Sequence, residues 1–169
     1  TPKTSSAASD VYKRQKRAWV NDVDKWQFRW QEAFKIVRGI GRGHIMTGSE
    51  TWKDYTISSK ISIPLASAAG LILRSQGLKR YYSLELTSDK KLKINKMEYE
   101  LKTLKEIDFD LEFFKDYNLK FKVKGNHLQG FVDDNIMIEV EDNENSFEQG
   151  MIGFITENGA IQSESISIE

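Results

Sequence analysis

The stretch GLILRSQGLKRYYSLEL, Gly70 to Leu86, reads as two strands joined by a polar loop that carries a glycine. Setting Arg74 opposite Tyr81 sorts the side chains, because successive residues of a strand point to opposite faces. Leu71, Leu73, Tyr82, Leu84 and Leu86 fall on one face, which is core. Ile72, Arg74, Tyr81, Ser83 and Glu85 fall on the other. There an arginine beside a tyrosine suits sugars and other planar, hydroxyl-rich ligands. A hairpin of this kind sets an antiparallel frame, and the rest of the chain is read outward from it.

Similar signals recur about every ten residues. From Asp54 to Ile63 the residues Tyr55, Ile57, Ser59, Ile61 and Ile63 alternate with Thr56, Ser58, Lys60 and Ser62, and Pro64 is expected to end that strand by removing a ladder donor. Leu119, Phe121 and Val123 alternate with Lys120, Lys122 and Lys124. Gly125-Asn126 follows as a two-residue turn, setting Val123 opposite Leu128 and Lys124 opposite His127. Asp133-Asp134-Asn135 is expected to form a three-residue loop with Val132 facing Ile136 and Asn135 in the left-handed conformation. Ile138 and Val140 continue the buried side. Further strands are expected at 33–38, 42–47, 90–97, 103–109, 150–156 and 161–168, and Leu101 to Phe114 reads as strand then loop. About a dozen short antiparallel strands in one chain give an all-β, two-sheet β-sandwich of jelly-roll, concanavalin A-like type.

Composition narrows the function classes. The 169 residues suffice for one domain with a core of its own. Lys+Arg and Asp+Glu balance at 25 each, which argues against a general nucleic-acid binder, since that function needs a basic surface. No apolar run approaches the ~20 residues of a membrane span, and a cytoplasmic location is expected. Absence of cysteine excludes disulfides and thiolate metal sites. Thr1 to Gln15 is small and polar, then basic, and reads as a leader outside the domain; the domain is expected to span 16–169.

Few residues form a constellation that carries chemistry. Glu139 and Glu141 share a strand face, as a glycosidase carboxylate pair would, but no aromatic subsite flanks them. They read better as the solvated side of an amphipathic strand. Glu141 to Asn145 is rich in oxygen ligands but lacks the spacing of a calcium loop, so no cofactor is expected. His44 and His127 stand alone, which makes a zinc site improbable. Gly39-Ile40-Gly41-Arg42-Gly43 lies between strands with no helix to complete a phosphate site. Trp26, Phe28 and Trp30 share one face and read as a sealed core edge or an interface. The remaining cluster, Arg74, Gln76, Arg80, Tyr81 and Tyr82, is the candidate ligand site, with Tyr82 anchoring the strand from the core side.

At these residues the chain resembles a known class. Arg74-Ser-Gln-Gly-Leu-Lys-Arg-Tyr-Tyr82 and Thr47-Gly-Ser-Glu-Thr-Trp-Lys-Asp-Tyr55 resemble a concanavalin/laminin-G-like β-sandwich module. More closely, they look like the C-terminal domain of bacterial ADP-ribosylglycohydrolase-family proteins. Lys16 to Asp24, Phe131 to Asn135 and Val140 to Asp142 fit the same pattern. The hairpin that usually reads Asp-Gly is here Asp133-Asp134. In that family the catalytic unit is helical, metal-dependent and upstream, and its ligands have no counterpart in this chain. The resemblance therefore implies a non-catalytic accessory module that binds a glycan or ribosyl-containing ligand, partnered with an upstream hydrolase domain. The alternatives are a docking domain with no ligand of its own and, last, a jelly-roll glycosidase.

Overall fold

The computed structural model describes residues 20–29 and 33–169; the leader Thr1 to Gln15, the expected domain start at Lys16, and Trp30 lie outside them. Every element among the described residues is a strand: β1 (Val20–Asn21), β2 (Lys25–Arg29), β3 (Ala33–Thr47), β4 (Tyr55–Leu65), β5 (Ala68–Ser75), β6 (Arg80–Thr87), β7 (Lys91–Glu98), β8 (Glu100–Asp108), β9 (Asp116–Lys124), β10 (His127–Val132), β11 (Asn135–Glu141), β12 (Met151–Ser163) and β13 (Ser167–Ile168). All pairings are antiparallel.

Two sheets face each other and share β3 and β12. In the first sheet the order runs β11-β10-β9-β4, then the C-terminal half of β12, the N-terminal half of β3, and β2. In the second it runs β1, the C-terminal half of β3, the N-terminal half of β12, then β5-β6-β7-β8. The shared strands turn the corner together. Gly41 takes φ 77° and Asn158 φ 48°, the register slips between Glu157 and Gly159, and the Gly41 amide donates to Asn158 Oδ1 at 2.8 Å. A bulge with a glycine bends a strand without ending its ladder. For this reason the expected strands 33–38 and 42–47 are one strand, β3. Likewise, 150–156 joins the start of 161–168 in β12, leaving β13 as the tail.

The core lies between the sheets. Tyr55, Ile57, Ile61 and Ile63 of β4 and Tyr117, Leu119, Phe121 and Val123 of β9 face Leu71, Leu73, Tyr82, Leu84 and Leu86 across it. Apart from Tyr117, these are the residues that strand alternation sets together. At Gly130 a Cβ would meet the Leu84 side chain at 2.6 Å, so the sheets touch there with no room for a side chain.

Two turn expectations need correction. β4 runs through Pro64 to Leu65, opposite a register slip between Ala160 and Gln162, and a bulged partner demands no regular donor. The Asp133-Asp134 turn has two residues, not three. Val132 pairs with Asn135, both aspartates take positive φ (49° and 66°), and a bulge after Gly130 restores Ile138 and Val140 to the buried side. Ile136 is left outside, half exposed. The left-handed residues are thus Asp133 and Asp134 rather than Asn135. Asp134→Gly should stabilise the domain by about 0.5 kcal/mol, because glycine takes positive φ without steric cost. A rise of about 1–2 °C in melting temperature would show it.

The expected Gly125-Asn126 turn is present, with Val123 opposite Leu128 and Lys124 opposite His127. Trp26 sits in β2 through its backbone, paired with Ile36. The tryptophan stripe as a side-chain feature lies outside the described residues.

Candidate functional site

The β5–β6 hairpin has the expected register, Leu73 opposite Tyr82 and Ile72 opposite Ser83. Arg74, however, does not share a face with Tyr81. Its backbone steps into the left-handed region (φ 46°), which swings the side chain from the outer face to the end of the core. There it is buried, and Nε donates to Lys53 O at 3.0 Å, Nη1 to Phe147 O at 2.6 Å and to Gly125 O, and Nη2 to Asp54 at 3.0 Å. Tyr82 is buried beside it. Its hydroxyl donates to Asp142 at 2.5 Å and accepts from the Phe147 amide at 3.0 Å. Arg74 and Tyr82 therefore tie loops to the sandwich. Burial would raise the Asp142 carboxyl, but Lys96 Nζ at 2.7 Å and the Tyr82 hydroxyl hold it below its ordinary range. Lys96 also donates to Asn145 O at 3.0 Å. The oxygen-rich stretch is thus organised around an ammonium of the chain itself.

Gln76 and Arg80 stay at the rim of the hairpin. Gln76 Nε2 donates to Gln149 O at 3.0 Å, Arg80 Nε to Gln76 Oε1 at 3.2 Å, and the Arg80 guanidinium lies over the Phe147 ring at 4.7 Å. Glu139 accepts from His127 at 3.1 Å and Gln129 at 3.2 Å on the outside of the first sheet. Among the described residues no cluster of three or more His, Cys, Asp or Glu is arranged to hold a metal.

Tyr81 does point outward from the second sheet, and its neighbours form the concentrated polar site of that face. Glu85 shares its face of β6, Arg42 and His44 come from β3, Glu157 from β12 and Asn95 from β7. β3 and β6 are three strand spacings apart, about 14 Å on a flat sheet. Their side chains nevertheless meet, because Gly70 and Gly153 leave gaps in the strands between, beside Ile72 and Ile155, which are fully buried against Tyr81. A Cβ on Gly70 would lie 1.8 Å from Leu84 O, and one on Gly153 1.9 Å from Ile45 O. Across this floor Arg42 pairs with both oxygens of Glu85 and reaches Glu157 at 2.7 Å. Ser83 donates to Glu85 at 2.6 Å and the Asn95 side chain also hydrogen-bonds it. The Arg42 Nε lies 3.4 Å from the Tyr81 hydroxyl, and the Tyr81 ring tilts against His44 with centroids 5.3 Å apart.

The electrostatics follow from burial and pairing. Burial would raise the Glu85 carboxyl, but Arg42, Ser83 and Asn95 outweigh it and keep it ionised. Burial works against the Arg42 guanidinium too, and Glu85 more than restores it. Tyr81 is pushed up, by burial first. His44 is pushed down to about 4, by burial first, with Arg42 and Lys79 adding to the effect against the opposing charge of Asp22. It is therefore neutral at pH 7. Both of its ring nitrogens, and Asn95 Oδ1, are buried without a hydrogen-bond partner.

The neutral histidine makes the fold acid-sensitive. The unfolded chain takes a proton at His44 near pH 6.5, whereas the folded chain resists it down to about 4. Stability should therefore fall as pH drops through that window, by about 3 kcal/mol. Urea unfolding at pH 7.0 and 4.5 measures the loss, and His44→Gln should flatten the slope.

Sequence reading missed Arg42, His44, Glu157 and Asn95. The signal available was the i, i+2 spacing of Arg42 and His44, which puts both on one face of a strand.

No protein-family model matches the chain, nor does any curated protein. Solved structures do match. The carbohydrate-binding module CBM66 from Bacillus subtilis is 20% identical with a TM-score of 0.80, covering 90% of this chain and 95% of that one. A Bacillus subtilis protein of unknown function with a galectin-like fold is 11% identical, with a TM-score of 0.73 over 93% and 92%. The Caenorhabditis elegans galectin LEC-6 is 13% identical, with a TM-score of 0.59 over 85% and 99%. At these identities the likeness establishes the fold: the chain is an antiparallel, galectin-like β-sandwich of jelly-roll type.

Proposed function

We propose that this domain is a carbohydrate-binding module whose sugar site is the outer face of the second sheet, formed by Arg42, His44, Tyr81, Glu85, Asn95 and Glu157. The observation that carries the reading is the pairing of a saturated ionic frame with unsatisfied neutral groups. Arg42 and Glu85 fix each other through several charge-assisted bonds. Beside them, both nitrogens of a neutral His44 and Asn95 Oδ1 have been desolvated without return. Neutral donors and acceptors held rigid beside an aromatic ring suit the hydroxyl pattern of a sugar, ribose included. Two of the similar structures, a carbohydrate-binding module and a galectin, support the same reading.

Gln76 and Arg80 belong to this reading together with Arg74 and Tyr82, as residues that hold the loops at the end of the hairpin. The glycan partner is thus assigned to the outer face. An upstream ADP-ribosylglycohydrolase-family domain is part of the proposal through the resemblance carried by Arg74–Tyr82 and Thr47–Tyr55, with Lys16–Asp24, Phe131–Asn135 and Val140–Asp142.

Affinity electrophoresis against a panel of neutral polysaccharides, followed by titration with the one retained, tests the reading. Glu157→Gln keeps the Arg42–Glu85 pair and should weaken binding at least tenfold with little change in melting temperature. Failure of every neutral glycan to retard the domain would reject the function. Retention that Glu157→Gln leaves unchanged would reject the site.

A further inference from the structure

The opposite side of the molecule carries a polar groove. A groove of about 370 Å³ lies on the outside of the first sheet, between β9, β4 and β13. Register builds it. Ser58 pairs with Lys120 on one side and with Ser167 on the other, so the three side chains form one row across three strands. Lys60 pairs with Asn118 and forms the next row. Ser165 completes the rim, and Asp134 is its carboxylate. The volume lies in the ~300–1,000 Å³ range of small-molecule sites.

The groups lining it differ in kind from those of the second sheet's outer face. Hydroxyls and an amide supply neutral donors and acceptors. Two ammoniums flank them, each held loosely: Lys60 lies 3.4 Å from Asp116 and Lys120 3.5 Å from Asp134, both lysines partly exposed. Exposed pairs at such distances gain little, so an incoming anion can replace either carboxylate. Phe131, opposite Lys120 in register, lies beyond the groove and holds the Lys120 ammonium over its ring at 5.8 Å. Exposed Lys122 and Lys124 continue the positive charge along that face of β9.

We propose that this groove is a separate binding site for an acidic sugar, a hexuronate unit whose carboxylate meets Lys60 and Lys120 while its hydroxyls meet Ser58, Ser167 and Asn118. A neutral sugar lacks the anchor, and a bare anion leaves the hydroxyl wall unused.

Amide-resolved NMR titration of the whole domain with D-glucuronate, D-glucose and sodium sulfate tests this. Glucuronate should shift Ser58, Lys60, Asn118 and Lys120 saturably, and bind at least tenfold tighter than glucose or sulfate. The Lys60→Gln/Lys120→Gln variant should weaken it at least tenfold, and added NaCl should weaken it in the unaltered protein. Both lysines are partly exposed, so the melting temperature should hold. No saturable shift, unchanged affinity in the variant, insensitivity to NaCl, or sulfate binding as tightly as glucuronate would each overturn the proposal.

Discussion

Arg42→Met is expected to destabilise the domain by about 3–5 kcal/mol, the usual effect of removing one partner from a buried ion pair. Glu85 is buried and relies on Arg42 for both of its oxygens. Without the guanidinium, only Ser83 and Asn95 remain to hold the carboxylate. Its pKa should then rise, and the variant should regain part of its stability as the pH falls and the carboxyl takes a proton. The double variant Arg42→Met/Glu85→Gln should recover much of the loss, since no charge is left buried; such coupling between contacting residues is read directly from a double-mutant cycle. Urea unfolding of the four proteins supplies the numbers. Strictly additive losses would mean that the pair does not act as a unit. Sugar binding should vanish in both Arg42 variants, whatever their stability.

Arg74→Ala should cost about as much, 4 kcal/mol or more, for a different reason. One guanidinium donates to three backbone carbonyls and one carboxylate, drawn from the segments at Lys53, Asp54, Gly125 and Phe147. Buried carbonyls stripped of a charged donor lose about 1–3 kcal/mol each. At this chain length the melting temperature should drop by roughly 10 °C. Arg74→Lys should rescue little, because an ammonium on a single stem cannot span the planar fork. The loop from Asp142 to Gly150 should become the first segment to exchange its amides, since Phe147 loses one of its two ties. A small loss of stability with loss of glycan binding would return Arg74 to the ligand site.

These two arginines show what the sequence makes legible. Alternation assigned the faces of β4 and β9, each with one dry side, and the pairing of faces in β5 and β6, although those two strands are buried on both sides. The register of the β5–β6 hairpin followed from the same argument. It failed at Arg74, where one left-handed residue turns the side chain through the sheet edge. Nothing in the string from Arg74 to Tyr82 marks that step.

Arg42 was hidden for the opposite reason. It sits in a glycine-rich stretch that looks like a break between strands, yet the stretch is the bend of one continuous strand. Its partner Glu85 lies 43 residues away and three strands across. Such a contact depends on non-local pairing and on the gaps at Gly70 and Gly153. Tyr81 bridges both cases: its outward direction was legible, whereas its neighbours were not.

The most direct test of the outer-face site is NMR observation of the His44 imidazole nitrogens while a retained neutral glycan is titrated in. His44 is neutral, buried and without a hydrogen-bond partner in the free domain. A bound hydroxyl should shift one of its ring nitrogens in step with saturation, together with the Tyr81 ring signals. Saturable glycan binding that leaves both His44 nitrogens and the Tyr81 ring unmoved would contradict the account.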